Sequence, residues 1–71
     1  MVRERVESSS VRSVGYGRDA GILEVEFASG GVYQYMDVPE AEYLALLAAP
    51  SKGKHVNGNV KTRYSFRRVL S

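Results

Sequence analysis

A chain of 71 residues, 44% hydrophobic and 25% charged, has the make-up of one globular domain and not of a disordered tail or a collagen-like repeat. At that length it buries only roughly 60% of the surface its unfolded form exposes, so modest stability is expected. With no cysteine it forms no disulfide or thiolate site. No stretch approaches the roughly 18 apolar residues of a membrane span, and the opening MVRERVESSS lacks the apolar run of a secretory signal. These features lead to the expectation of a cytoplasmic protein without a membrane role.

The net charge of +2 hides a division. Through Ala49 the chain carries four arginines against eight acids; from Pro50 onward it carries Lys52, Lys54, Lys61, Arg63, Arg67 and Arg68 and no acid. A segment of one sign attracts phosphate, anionic lipid or an acidic protein face, or docks on the acidic half of its own chain.

In chain order, residues 1–8 read as a flexible arm that joins the fold near Ser9 or Ser10, with Arg3 and Arg5 available to a basic surface. Residues 11–16 suggest a first strand with a bulge near Gly15. Residues 17–21 supply a turn, with two glycines able to take positive φ. Residues 22–28 alternate cleanly: Leu23, Val25 and Phe27 fall on a core face, Glu24 and Glu26 on a wet one.

A three-residue hairpin loop at Ser29-Gly30-Gly31 sets Phe27 opposite Tyr33 and Val25 opposite Tyr35, with both tyrosines on the core face. A two-residue turn at Ser29-Gly30 reverses the faces and puts Val32, Gln34 and Met36 inside. The first register is preferred because it buries aromatics and leaves Gln34 wet. Asp37 and Glu40 resemble a capping box around Pro39, opening a helix with an apolar stripe of Tyr43, Leu46 and Leu47 and with Leu44 at its edge. Ser51 is placed to cap a shorter second helix carrying Val56 and Val60, a line that Tyr64 extends, and residues 62–71 read as an extended segment or short strand that anchors the C-terminus.

Several motifs are set aside on physical grounds. Gly15-Tyr16-Gly17-Arg18-Asp19-Ala20 matches the letters of a dinucleotide-binding G-x-G-x-x-A but lies in a meander without the βαβ unit that motif requires. Gly53-Lys54 lacks the upstream glycine and the following Ser or Thr of a phosphate loop. His55 is the single histidine, with no second soft ligand and no nucleophile at a telling spacing, so it reads as a packed or surface residue. Glu24 and Glu26 read as solvated strand charges. Tyr33 and Tyr35 have the spacing at which sheet aromatics stack on successive bases, although a place in the core under the helix is the simpler reading.

Leu23-x-Val25-x-Phe27, a glycine turn, Tyr33-x-Tyr35, Val38-Pro39, Tyr43 with Leu46-Leu47, Ser51-x-Gly53, Asn57, Val60 and Tyr64 together resemble the KTSC domain over about residues 9 to 69. The resemblance implies a small bacterial stand-alone form of a domain also found at the C-terminus of some lysyl-tRNA synthetases, with Tyr-x-Tyr as its hallmark and RNA binding as the usual suggestion. The chain departs from the pattern at His55-Val56, where relatives tend to carry an aromatic pair.

The expectation is therefore an α+β domain over residues 9–71: a three-stranded antiparallel meander, one helix and a second shorter helix on one face, and a C-terminal extended segment. The expected function is that of a non-catalytic module for tRNA or structured RNA. In it Lys52, Lys54, Lys61, Arg63, Arg67 and Arg68 contact phosphate, and Tyr33 and Tyr35 stack where exposed. A protein-interaction module with an acidic partner is the alternative. No cofactor or metal is implied, and a monomer or small homo-oligomer is expected.

Overall fold

The computed structural model of the chain describes residues 2–70; Met1 and Ser71, which the sequence reading assigned to the arm and to the domain, lie outside it. One antiparallel sheet holds strands β1 (Glu4–Arg5), β2 (Val11–Gly17), β3 (Ile22–Phe27), β4 (Val32–Tyr35) and β5 (Phe66–Leu70), and their spatial order is their chain order. Between β4 and β5 the chain forms α1 (Glu40–Ala48) and α2 (Lys52–His55), and α2 runs on into a π-helical turn over Val56–Val60.

The α+β class is as the sequence predicts, but the sheet has five strands and not three. The segment expected to be a free arm contributes β1, with Glu4 paired to Val14 and Arg5 to Ser13. The fold thus begins before Ser9. The C-terminal segment is a full strand on the outer edge of β4, with Tyr33 opposite Arg68 and Tyr35 opposite Phe66.

The β3–β4 hairpin keeps the expected faces in a shifted register. Phe27 N–H donates to Gly31 O at 2.9 Å and Gly30 N–H to Phe27 O at 2.9 Å, with Gly30 at φ 104°. The three-residue loop is therefore Ala28-Ser29-Gly30, one residue earlier than expected. Val25 now faces Tyr33, and Leu23 faces Tyr35. A loop displaced by one residue moves the pairing by two, and because side chains alternate with period two the core face is preserved.

Two other local expectations fail. The bulge in β2 falls between Val11 and Ser13, whereas Gly15 pairs regularly with Glu24. A Cβ at Gly15 would come within 2.5 Å of Val2 O, so glycine is needed for the N-terminal segment to lie close. The capping box at Asp37 does not form: Asp37 sits at φ 55°, Pro39 is the N-cap, and no side chain caps α1. Asp37 is spent on the left-handed turn that swings the chain off the sheet, a conformation that a short polar side chain tolerates. Ser51 does cap α2, accepting from Lys54 N–H at 3.3 Å.

The core lies between one sheet face and the helices. Val14, Leu23, Val25 and Tyr35 meet Val38, Leu46, Val56 and Val60, all essentially sealed from solvent. Val56 and Val60 are four residues apart, and the widened turn between them, closed by Lys61 N–H to Val56 O at 2.8 Å, keeps both inside. Tyr16 stacks on Tyr43 of α1 with centroids 5.2 Å apart, and its hydroxyl donates to Val38 O at 2.5 Å. No helix among the described residues is long and apolar enough to cross a membrane.

Candidate functional site

Residues of β3, β4 and β5 that share the core face continue past the area the helices cover. There Phe27, Tyr33 and Phe66 form a row. Phe27 meets Tyr33 edge-on at 5.6 Å, Tyr33 meets Phe66 at 5.5 Å, and Phe66 meets Tyr35 at 5.8 Å. Strand alternation explains the row, since cross-strand neighbours on one face stand close enough for rings to touch. The row borders a cleft of about 540 Å³, with Ser10, Ser29 and Lys61 on its rim.

The two tyrosines of the Tyr-x-Tyr stretch have different fates. Tyr35 is 1% exposed, and burial, with Tyr33 adding to it, pushes its phenol up to about 12. Tyr33 is half-buried and presents part of its ring to the cleft. Phe66 is 55% exposed. The sequence reading missed Phe27 and Phe66 as site residues. The available signal was the apolar position of Phe27 on the face of Leu23 and Val25 and the aromatic ring of Phe66 among arginines, but only the β4–β5 pairing brings the two to one place.

The six C-terminal cations do not form one patch. Lys61 Nζ lies over the Phe27 ring at 5.0 Å, and the Arg68 guanidinium lies over Tyr33 at 5.8 Å, so these two flank the aromatic row. Lys52 Nζ donates to Ala49 O at 2.7 Å, closing the exposed carbonyl end of α1. Lys54 lies in a separate shallow groove with Pro50, His55 and Asn59. Arg63 lies 3.6 Å from Glu42 and over the Tyr64 ring at 5.7 Å. Arg67 projects to the opposite sheet face, where its Nε and Nη2 both donate to Gln34 Oε1, at 3.2 and 3.0 Å.

That opposite face is not simply wet. Glu24, expected to be a solvated strand charge, is only 7% exposed. Arg3 Nη1 donates to its Oε2 at 2.7 Å and Gln34 Nε2 to its Oε1 at 2.8 Å. Ser13 Oγ donates to Glu26 Oε1 at 2.8 Å, while Arg12 and Arg3 stand 3.8 and 4.0 Å from the same carboxylate. The N-terminal segment folds Arg3 across the strand acids, so both carboxylates are paired within a polar network that arginines outnumber.

His55, between the helices, points Nε2 at Glu42 Oε2 and does not line the aromatic cleft. Among the described residues no group of three or more His, Asp or Glu side chains is placed to hold a metal ion.

The architecture defines a class of small domain in which one antiparallel sheet carries two short helices on a single face and leaves one end of that face as an aromatic row flanked by cations. Within that class, the KTSC domain pattern matches residues 7–64, and the chain belongs to the KTSC domain family. The crystal structure of a KTSC domain protein from Yersinia pestis superposes with a TM-score of 0.93 at 37% identity, covering 96% of each chain. A protein of Stutzerimonas stutzeri is 47% identical over 64 residues, 90% of each chain. A lysine–tRNA ligase of Nostoc punctiforme is 36% identical over 63 residues, which is 89% of this chain and 11% of the ligase.

Proposed function

We propose that this domain is a non-catalytic RNA-binding module for tRNA or another structured RNA, engaged through cations of the segment after Pro50. The observation that carries this reading is the position of Lys61 and Arg68, two cations standing over the rings of an aromatic row at the uncovered end of the sheet. Phosphate contacts supply affinity and aromatic faces accept bases, so the pair of features suits a nucleic acid better than either alone. The likeness to part of a lysine–tRNA ligase points the same way.

Because Lys52, Arg63 and Arg67 already have partners within the fold, about two or three phosphate contacts are expected, and log affinity should fall against log salt with a slope of roughly −1.5 to −2. The test is a fluorescence titration of tRNA at about 50 mM salt and above. Changing Lys61→Glu together with Arg68→Glu should weaken binding by about tenfold or more, and Arg67→Gln by less than about twofold. Absence of binding at low salt overturns the reading. In the second reading, a cytoplasmic protein-interaction module, the support is the outer position of β5 in the sheet, with Phe66 and Val69 exposed on it and two arginines to meet an acidic strand. Recovery of one acidic protein on the immobilised domain, unchanged by nuclease, favours that alternative.

A further inference from the structure

Resting on the RNA reading, we propose that the cleft beside Phe27, Tyr33 and Phe66 is a subsite for one unpaired nucleotide, with its base stacked on Phe66 and its phosphate taken by Lys61 and Arg68. The cleft's volume of about 540 Å³ falls within the range of sites that enclose small ligands. Its apolar wall is aromatic, and Phe66 has the most accessible ring of the row. Neither close cation stands over Phe66: Lys61 occupies Phe27 and Arg68 occupies Tyr33. The face of Phe66 is thus the one offered to an incoming base.

The charge at the rim selects the ligand. Lys61 lines the cleft and Arg68 lies over the ring of Tyr33, which also lines it, so a cationic guest would be repelled and an anion attracted. Each cation lies over a ring and, among the described residues, pairs with no carboxylate, so either can turn to a phosphate without leaving an acid there unpaired. A flat ring joined to an anion is the chemistry of a nucleotide. A duplex keeps its base faces stacked inside and cannot use this site; a loop, a bulge or a strand end can. Tyr35, nearly fully buried, also lines the cleft and backs the Phe66 ring at 5.8 Å.

The experiment uses three probes with the whole chain: adenosine monophosphate, an oligoadenylate of about ten nucleotides, and an RNA duplex of similar length. Amide chemical shifts on titration with the mononucleotide should move at Phe27, Tyr33, Lys61 and Phe66. Changing Phe66→Leu should lower oligoadenylate affinity by about tenfold while leaving duplex affinity within about twofold. Changing Lys61→Met, which keeps the apolar stem, should reduce mononucleotide binding with the amide spectrum otherwise preserved. Mononucleotide shifts that map elsewhere, or equal loss of strand and duplex affinity in Phe66→Leu, overturn the subsite and leave the RNA reading standing. Failure of all three probes to bind overturns the subsite, and the RNA reading falls with it only if tRNA also fails to bind at low salt.

Discussion

Nε2 of His55 lies 3.4 Å from Oε2 of Glu42, a contact that joins the start of α1 to the end of α2. The contact is not a hydrogen bond: His55 Nε2 is buried without a hydrogen-bond partner among the described residues, and so is the other carboxylate oxygen, Glu42 Oε1. Arg63, 3.6 Å from Glu42 Oε1, covers the pair from the solvent side with a largely exposed guanidinium.

A double-mutant cycle measures that contact. Glu42→Gln and His55→Gln, singly and together, should show a coupling of about 1 kcal/mol in urea unfolding, because neighbouring buried polar groups do not act independently. Arg63→Ala should cost less than roughly 0.5 kcal/mol, as exposed ion pairs are weak. Additive single changes would show that the two side chains merely sit side by side.

Tyr35 predicts a stability loss in alkali. Its phenol ionises at an ordinary value of 10.0 in the unfolded chain and at about 12 in the fold. The folded state therefore holds the proton more tightly. The resulting stabilisation is fully present below about pH 10 and is lost as the pH rises through about 12, in total roughly 2–3 kcal/mol. Urea unfolding at about pH 9 and about pH 11.5 should separate the unmodified protein from Tyr35→Phe, whose unfolding free energy should fall less over that interval. Tyr43, also shifted upward by burial and by Glu4, adds a background slope common to both.

Gly15→Ala probes the crossing of the N-terminal segment. The added methyl would sit 2.5 Å from Val2 O and 3.1 Å from the Arg3 side chain, so the segment must lift. The expected cost is about 1–2 kcal/mol, with faster hydrogen exchange confined to β1 and its partners on β2. Exchange that rises equally in α1 would mean that the substitution disturbs the whole fold.

Removing the carboxylate of Glu24 leaves Arg3 and Gln34 without their shared acceptor. Glu24→Ala should destabilise by about 1–3 kcal/mol, more than Glu26→Ala, whose carboxylate is more exposed. Thermal unfolding of the two variants side by side makes the comparison, and equal midpoints would contradict it.

The sequence makes β3 and α1 readable because each shows the period of its own element: Leu23, Val25 and Phe27 every second residue, Tyr43, Leu46 and Leu47 around a helical turn. The two edge strands leave no such mark. A two-residue strand has no periodicity to detect, and Phe66-Arg67-Arg68-Val69 does not alternate apolar with polar; both become strands by pairing with a neighbour. The site divides in the same way. Tyr33 and the cationic segment are visible in the residues, but the parting of Arg67 from Arg68 to opposite faces depends on the pairing of β5 with β4, which the residues do not announce. The engagement of Lys52 by Ala49 and of Arg63 by Glu42 depends on contacts that spacing does not encode.

On the polar face, Arg3 holds Glu24, Glu24 accepts from Gln34, and Gln34 accepts from Arg67. This relay spans the sheet from the segment leading into one edge strand to the strand at the other edge. The two edge strands, which are not neighbours in the sheet, are thereby linked through the side chains of Glu24 and Gln34. Gln34 is the joint of this relay, and its loss would part Arg67 from Glu24 while leaving the Arg3 contact in place.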